Sequence, residues 1–313
     1  MFSHRDLLLL AVSFGSLLAG ILAPEACAPL QPYPVVCMML LLFLSFLSIR
    51  ISQIWETARQ SPLRIASFLF FRMIVFPAAA ALLIRAVWPA YSLSTLLLAG
   101  ISTGAVAPFF ANLLQANMAF VLVTVVASSL LVPFTLPPLV ALLFGRTMEI
   151  PLLQMMRLLI VVVFIPLAGA ELLKRAAPRI AEFLRRNQFA LSLVLFAMTN
   201  LGIFSKYADF CRQNPALLAA SVSAAFLVGG LCIAAGMLAA WRWRLEDQLA
   251  AVISLWIMNY ILVIVFSAQF FSPLEPTVAA LYTFPFYALV VPVRAWRSWK
   301  TRTATHRPTP KSP

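Results

Sequence analysis

Long hydrophobic blocks dominate the chain, and short polar segments separate them. A helix needs roughly 20 mostly apolar residues to cross a hydrocarbon core of about 30 Å, and the blocks approach that length. They do not alternate apolar and polar residues, as the strands of an outer-membrane barrel would. The sequence therefore predicts an all-α polytopic membrane protein with ten transmembrane helices, at 7–23, 33–49, 63–87, 93–115, 117–144, 152–173, 187–207, 214–240, 248–270 and 274–296.

The basic residues predict how these spans are oriented. If the first span starts inside, most of the 23 lysines and arginines fall on the inner side. Only Arg85, Arg146, Lys206 and Arg212 fall in outer segments. The positive-inside rule then puts both termini on the cytoplasmic side of the plasma (inner) membrane. The net charge of +13 is a topology signal, with anionic lipid as a secondary contact, and no nucleic acid partner is expected. A cleaved signal peptide fits less well, because these loops find a consistent orientation only if the first block is kept as a span.

The predicted spans fall into two groups of five whose starts are offset by a similar number of residues. An odd number of spans in each half forces the halves into opposite orientations, which is the inverted-repeat plan of many secondary transporters. We expect a first repeat at 1–144, a second inverted repeat at 145–298 and a disordered cytoplasmic tail at 299–313. This division rests on spacing, since the halves share no convincing residue-level identity.

The fourth predicted span contains the strongest interruption. Small and hydroxylated residues precede Pro108, which lacks a backbone donor and clashes with the preceding turn, so a break or kink is expected there. Broken backbone at membrane depth is tolerated only where it is buried or lines a cavity. The ninth span has polar residues but neither proline nor glycine in the corresponding stretch, and close helix packing is the alternative explanation for both. The candidate substrate- or ion-binding residues are Ser102, Thr103, Gly104, Pro108, Asn112, Ser254 and Asn259.

Several motifs resemble the bile acid:sodium symporter family, within the wider bile/arsenite/auxin-type carrier superfamily. The resemblance implies ten helices in two inverted repeats, with unwound helices four and nine crossing near the midplane, where substrate and sodium bind. The chain is identified as a divergent member of this family. The motifs are Gly-x-x-x-Gly at Gly100–Gly104, Asn117-Met118-Ala119, Ser128–Pro133, Leu136–Leu139 and Met148–Pro151.

The sodium ligands implied by the resemblance are largely missing. Sodium-dependent members carry Pro-Gly-Gly-x-x-Ser-Asn in the fourth helix, which matches Ser102–Pro108 here, and both ligand positions are apolar. Their ninth helix carries Glu-x-Gly-x-Gln-Asn, which matches Ser254–Asn259. The Glu position holds Ser254, the Gln position holds Met258, and only Asn259 is retained.

Acidic residues and histidines are confined to loops, tails and predicted membrane edges. Glu171 is the most embedded carboxylate, and it lies at ion-pair spacing from Arg175. Proton-coupled carriers normally relay protons through buried Asp, Glu or His, and none lies at the predicted midplane. The four cysteines are scattered, so no metal or redox site is expected. No cofactor is therefore expected, and sodium stays open only as a ligand of neutral oxygens.

Two arginines lie within predicted spans. Arg72 is about a third of the way into the third span, where an arginine costs about 2–3 kcal/mol on insertion scales and usually faces the protein interior or water. One hypothesis for Arg72 is attraction of an anionic substrate, and the other is a structural role, either snorkelling or pairing with backbone carbonyls. Arg157 lies near the outer end of the sixth span, and for it the structural role, snorkelling or pairing with backbone carbonyls, is favoured.

These features predict a secondary transporter that moves a small organic anion or similar solute by alternating access, and they argue against sodium coupling. The solute and the lipid bilayer are the expected partners. A sensor or partner protein that keeps a transporter fold but cannot transport is the alternative. A membrane enzyme is disfavoured, because acidic metal-binding motifs or a catalytic histidine at the interface are missing.

Overall fold

The computed structural model describes residues 4–48, 59, 61–146 and 148–305. Within these residues the chain is helical, without a β-strand, and an isolated antiparallel bridge joins Thr103 to Met258. The α-helices are α1 (His4–Leu22), α2 (Pro24–Cys27), α3 (Pro34–Leu47), α4 (Pro62–Phe70), α5 (Phe76–Val87), α6 (Ser92–Gly100), α7 (Ala107–Leu113), α8 (Met118–Phe144), α9 (Leu152–Ala176), α10 (Pro178–Arg186), α11 (Gln188–Lys206), α12 (Ala208–Gln213), α13 (Pro215–Ala239), α14 (Leu245–Trp256), α15 (Tyr260–Phe270), α16 (Leu274–Leu281), α17 (Thr283–Ala288) and α18 (Val290–Thr305).

Length and hydropathy identify membrane-crossing helices in the described part of the chain. Six are long and apolar enough, and a seventh is added if α2 and α3, which are bent by 61°, form one span. The predicted class, an all-α multi-pass membrane protein, is confirmed. The six are Pro62–Val87, Met118–Phe144, Leu152–Ala176, Gln188–Lys206, Pro215–Ala239 and Leu274–Arg302.

Helices lie in each of the ten predicted segments, and most of their bounds differ from the predicted ones by only a few residues. The last segment consists of three short helices in succession, α16, α17 and α18. Its helix continues to Thr305, so residues 299–305, which the sequence assigns to the tail, are helical. Residues 306–313 lie outside the described residues.

A π-helical turn, Phe71–Val75, joins α4 to α5 and carries Arg72. Pro77, which has no backbone N–H to donate, follows this turn inside the same continuous helix, Pro62–Val87. A single wider turn is a common way for a helix to accommodate such a position, and such turns are frequent at functional sites. The third segment is therefore continuous but irregular at its embedded arginine.

Glu171 has a different partner from the predicted one. Its carboxylate pairs with Lys174 rather than with Arg175. Lys174 also donates to the carbonyl oxygen of Phe46 at 3.4 Å, which holds its ammonium group on the side of α9 that packs on α3. The i,i+3 spacing thus replaces the predicted i,i+4 spacing, and both bring side chains to one helix face.

The helix α14 lies in the centre of the molecule, and its residues from Asp247 to Trp256 are all buried. It packs closely on α13 at Gly236, where an added Cβ would lie 2.6 Å from the Cα of Val252. Small residues allow such backbone-to-backbone packing in membranes. This packing fixes the position of α14, whose C-terminal end forms half of the site described next.

Candidate functional site

Two helix interruptions meet inside the molecule. Residues 101–106 separate α6 from α7, and residues 257–259 separate α14 from α15. The amide of Gly104 donates to the carbonyl oxygen of Ile257 at 2.7 Å, and the amide of Asn259 donates to that of Ser102 at 2.9 Å. The two interruptions therefore cross as a short antiparallel pair, which we call the crossing (residues 101–106 and 257–259).

The first interruption lies before Pro108 rather than at it. Pro108 stands in the first turn of α7, where helical amides have no intrahelical partner, so the proline starts the second half-helix. The chain leaves α6 at Ile101, whose backbone is extended with ψ of 163°. The sequence predicts a break at Pro108, and the helix ends several residues earlier, at Gly100.

The second interruption occurs without proline or glycine. The side chain of Asn259 accepts a hydrogen bond from the amide of Leu262 at 3.3 Å and thereby caps α15. Asparagine is among the strongest N-cap residues. The local signal for this break was therefore the cap residue itself.

The crossing leaves little room for a side chain at Gly104. A Cβ built at this position would lie 3.0 Å from the carbonyl oxygen of Met258 and 3.2 Å from that of Ile257. A side chain here would press against the partner strand, whose carbonyl oxygens cannot retreat without breaking the pairing. Glycine thus permits the close approach of the two backbones.

Arg72 connects the two half-helices that end at the crossing. Its side chain is fully buried. Nε donates to the carbonyl oxygen of Ser254 in the last turn of α14 at 2.9 Å, and Nη1 donates to that of Ile101, just after α6, at 2.7 Å. Helix C-termini carry partial negative charge, so a guanidinium between two of them is electrostatically favourable. The pairing with backbone carbonyls, one of the two hypotheses for Arg72, is therefore present.

Other side chains satisfy the remaining backbone groups of the crossing. The hydroxyl of Thr103 donates to the Ser254 carbonyl oxygen at 2.8 Å, and its amide donates to the hydroxyl of Ser128 at 3.0 Å. The hydroxyl of Tyr282 donates to the carbonyl oxygen of Trp256 at 2.9 Å. Broken backbone in a membrane interior needs such partners.

Three polar side-chain atoms at the crossing have no hydrogen-bond partner among the described residues. They are Nη2 of Arg72 and the hydroxyl oxygens of Ser102 and Ser254, and all three are buried. No carboxylate in the described part of the chain forms an ion pair with Arg72. The polar groups at the crossing are therefore one guanidinium, several hydroxyls, the carboxamide of Asn259 and backbone amides and carbonyls.

A cavity of about 390 Å³ lies against the crossing. Its wall includes Gly104, Asn259 and neighbouring residues of the crossing, and its other lining residues come from α3, α10, α11, α15 and α17. Phe189, Phe196 and Tyr260 are among several aromatic residues in its walls. An apolar cavity with few polar groups is the usual form of a small-molecule site.

The predicted site residues divide into three groups. Gly104 and Asn259 line the cavity, whereas Ser102, Thr103 and Ser254 are buried in the crossing outside the described lining. Pro108 and Asn112 lie on α7 away from it, and Asn112 is exposed. Arg72 is also outside the described lining, so its attraction of an anion stays a prediction without direct contact to support it.

Two cavity residues that sequence reasoning assigned only to topology are Arg185 and Arg186, at the end of α10. Arg185 Nε lies 2.8 Å from one Glu182 carboxylate oxygen, and Arg186 Nε lies 2.9 Å from the other. These hydrogen bonds lower the pKa of Glu182 to about 2. Because two guanidinium groups share one carboxylate, this end of the cavity keeps a net positive charge.

Comparison with known proteins identifies one family. Residues 35–214 match the Sodium Bile acid symporter family. The match includes Ser102–Asn112 and ends before Ser254–Asn259. No curated protein matches the chain.

Proposed function

The chain belongs to the sodium bile acid symporter family, whose members are membrane transporters rather than enzymes, and we propose that it moves a small organic anion or similar solute by alternating access. The observation that carries this proposal is the cavity that ends on the crossing of two interrupted helices. Binding sites of secondary transporters typically lie where such interrupted helices meet.

The proposed architecture is ten spans in two inverted repeats, 1–144 and 145–298. The equivalent location of the breaks, in the fourth and ninth spans, and their antiparallel pairing support this arrangement. With both termini on the cytoplasmic side of the inner membrane, α10 lies at the cytoplasmic surface. The cavity would then be the inward-facing solute site.

The cavity also suggests what kind of solute binds. Its aromatic and aliphatic walls favour an apolar body, and Arg185 and Arg186 at one end favour a carboxylate, sulfate or phosphate group. Asn259 adds a side-chain amide to the lining. We expect an amphipathic organic anion, with its charged group toward α10.

A two-stage experiment tests this proposal. Purified protein is screened for thermal stabilisation by amphipathic organic anions and by their uncharged analogues, and ligands that stabilise it are then tested for flux in proteoliposomes. Replacing Arg185 and Arg186 each by Gln should weaken the apparent affinity by about two- to fivefold, the scale of an exposed charge contact. Glu182→Gln should strengthen it by a similar factor, because it releases both guanidinium groups.

The control is Arg157→Gln, which removes an exposed arginine on α9 away from the cavity and should leave affinity unchanged. Equal stabilisation by anions and neutral analogues would contradict the proposed solute class. Stabilisation without flux for every ligand would instead favour the alternative, a sensor or partner protein on a transporter fold.

A further inference from the structure

Arg72 holds a place at the crossing that differs from that of any other described arginine. Its guanidinium donates to carbonyl oxygens from both halves of the chain, Ile101 and Ser254, at 2.7 and 2.9 Å. We propose that Arg72 is the resident cation of the crossing, and that it takes the role between the two helix ends that a mobile coupling ion would otherwise have. This deepens the proposed function, because it makes binding and transport of the solute independent of sodium.

The electrostatics of the crossing favour a bound positive charge. α6 and α14 both direct their C-terminal ends at this point, and their unsatisfied carbonyl groups carry partial negative charge. The Ser254 carbonyl oxygen accepts from both Arg72 and Thr103, so this end of α14 is strongly polarised. A single positive charge between the two helix ends interacts favourably with both. Here that charge is the guanidinium group of Arg72, which is covalently part of the chain.

The oxygen atoms at the crossing are poor ligands for an additional sodium ion. Hard cations select oxygen ligands and bind best with formal negative charge, which the described side chains of the crossing lack. The guanidinium already donates to two of the carbonyl oxygens that such an ion would need. A second cation beside it would also be repelled by the fixed charge at short range in a medium of low dielectric.

Removal of the guanidinium should convert this place into a site for a free cation. The Ile101 carbonyl oxygen would lose its charged donor and the Ser254 carbonyl oxygen would keep only Thr103, and the hydroxyls of Ser102 and Ser254 already lack partners among the described residues. Neutral oxygens in such an arrangement accept hydrogen bonds from a guanidinium ion. The variant Arg72→Ala leaves room for one, whereas Arg72→Lys keeps the charge on the chain.

The test measures melting temperature in detergent and needs no knowledge of the solute. Wild-type protein should melt at the same temperature in sodium, potassium and choline chloride. Arg72→Ala should melt about 5 °C or more below wild type. Millimolar guanidinium chloride should recover much of that loss, as expected for a ligand that binds only the folded state. Arg72→Lys should lie between the two and should not respond to guanidinium.

Arg157→Ala is the matched control, since it removes an arginine from a predicted span away from the crossing, and guanidinium should not stabilise it. A saturable, sodium-specific rise in the melting temperature of wild-type protein would overturn the inference, as would Arg72→Ala protein that does not respond to guanidinium. If Arg72→Ala does not fold, the wild-type comparison of sodium with potassium decides alone. Failure of the proposed function would appear separately, as absence of flux for every solute.

Discussion

Two arginines of the third segment, Arg64 and Arg72, have their charges stabilised by different kinds of partner. Arg64, in α4, pairs with the carboxylate of Asp247 at 2.7 Å, lies over the ring of Trp243 at 3.9 Å, and keeps a third of its side chain exposed. Arg72, further along the same segment, is fully buried and bonds to carbonyl oxygens. Near the edge of the segment, a carboxylate and solvent stabilise the charge of Arg64. In the interior, the carbonyl groups at two helix ends stabilise the charge of Arg72.

The same two arginines hold opposite ends of one helix. Asp247 lies in the first turn of α14, and Ser254 lies in its last turn. An acidic residue at the N-terminal end and a cation at the C-terminal end both complement the helix dipole. The third segment therefore fixes α14 at both ends, and α14 in turn positions half of the crossing.

The largest expected effect is on the interior arginine. Arg72→Met should lower the free energy of unfolding by about 3–5 kcal/mol, because it removes two buried charge-assisted hydrogen bonds of about 1.5–3 kcal/mol each. Arg64→Met should cost less, about 1 kcal/mol, since Arg64 is a third exposed and Asp247 keeps the side-chain amide of Asn117 as a donor. Parallel denaturation of both variants in detergent measures the difference. Equal losses in the free energy of unfolding for the two variants would contradict this contrast and would mean that burial does not decide the strength of these contacts.

A second prediction separates backbone approach from charge at the crossing. Gly104→Ala should lower the free energy of unfolding by about 1–3 kcal/mol, the usual cost of overpacking, because its Cβ meets the Met258 carbonyl oxygen at 3.0 Å. Gly230→Ala is the control, since an added Cβ meets nothing within 4 Å there. Control and variant with the same melting temperature would contradict the close approach inferred for Gly104.

The ion pair at the other end of α14 should be weaker. A double-mutant cycle of Arg64→Met and Asp247→Asn should give a coupling energy of about 0.5–1 kcal/mol. Asp247 also accepts a hydrogen bond from the side-chain amide (Nδ2) of Asn117 at 2.7 Å. Asp247→Asn alone should therefore cost more than the coupling energy. A coupling energy above about 3 kcal/mol would place this pair with the buried ones and remove the contrast with Arg72.

The smallest effect concerns a partly exposed surface carboxylate. The pKa of Glu182 is lowered from its ordinary 4.5 to about 2 by Arg185 and Arg186. Its contribution to stability is therefore complete above pH 4.5 and is lost as the pH falls toward 2. The difference in melting temperature between wild type and Glu182→Gln should shrink over that interval. A difference that does not change with pH would show that these hydrogen bonds add nothing to stability.

Hydrophobic length predicts the helices well, because a span must match the thickness of the membrane whatever its neighbours are. The insertion cost of Arg72 likewise predicts anion attraction, snorkelling or carbonyl pairing before any contact is seen. The pairing of residues 101–106 with 257–259 is different, because it joins positions far apart in the chain and uses backbone atoms, which leave little trace in side-chain identity. The cavity contact of Arg185 and Arg186 could not be predicted for another reason, since the positive-inside rule already accounts for basic residues in a loop between predicted spans.

The contacts of Arg72 also bear on how the chain is made. Its carbonyl partner at Ile101 is 29 positions away, whereas its partner at Ser254 is 182 positions away and is synthesised much later. During synthesis the segment Pro62–Val87 therefore enters the membrane with a charge for which only one of the two carbonyl partners has been made. We expect the nascent chain to keep this span near the translocation machinery, or near water, until α14 emerges. Truncated chains that end before α14 should insert the third span less completely, which glycosylation mapping of staged truncations would measure.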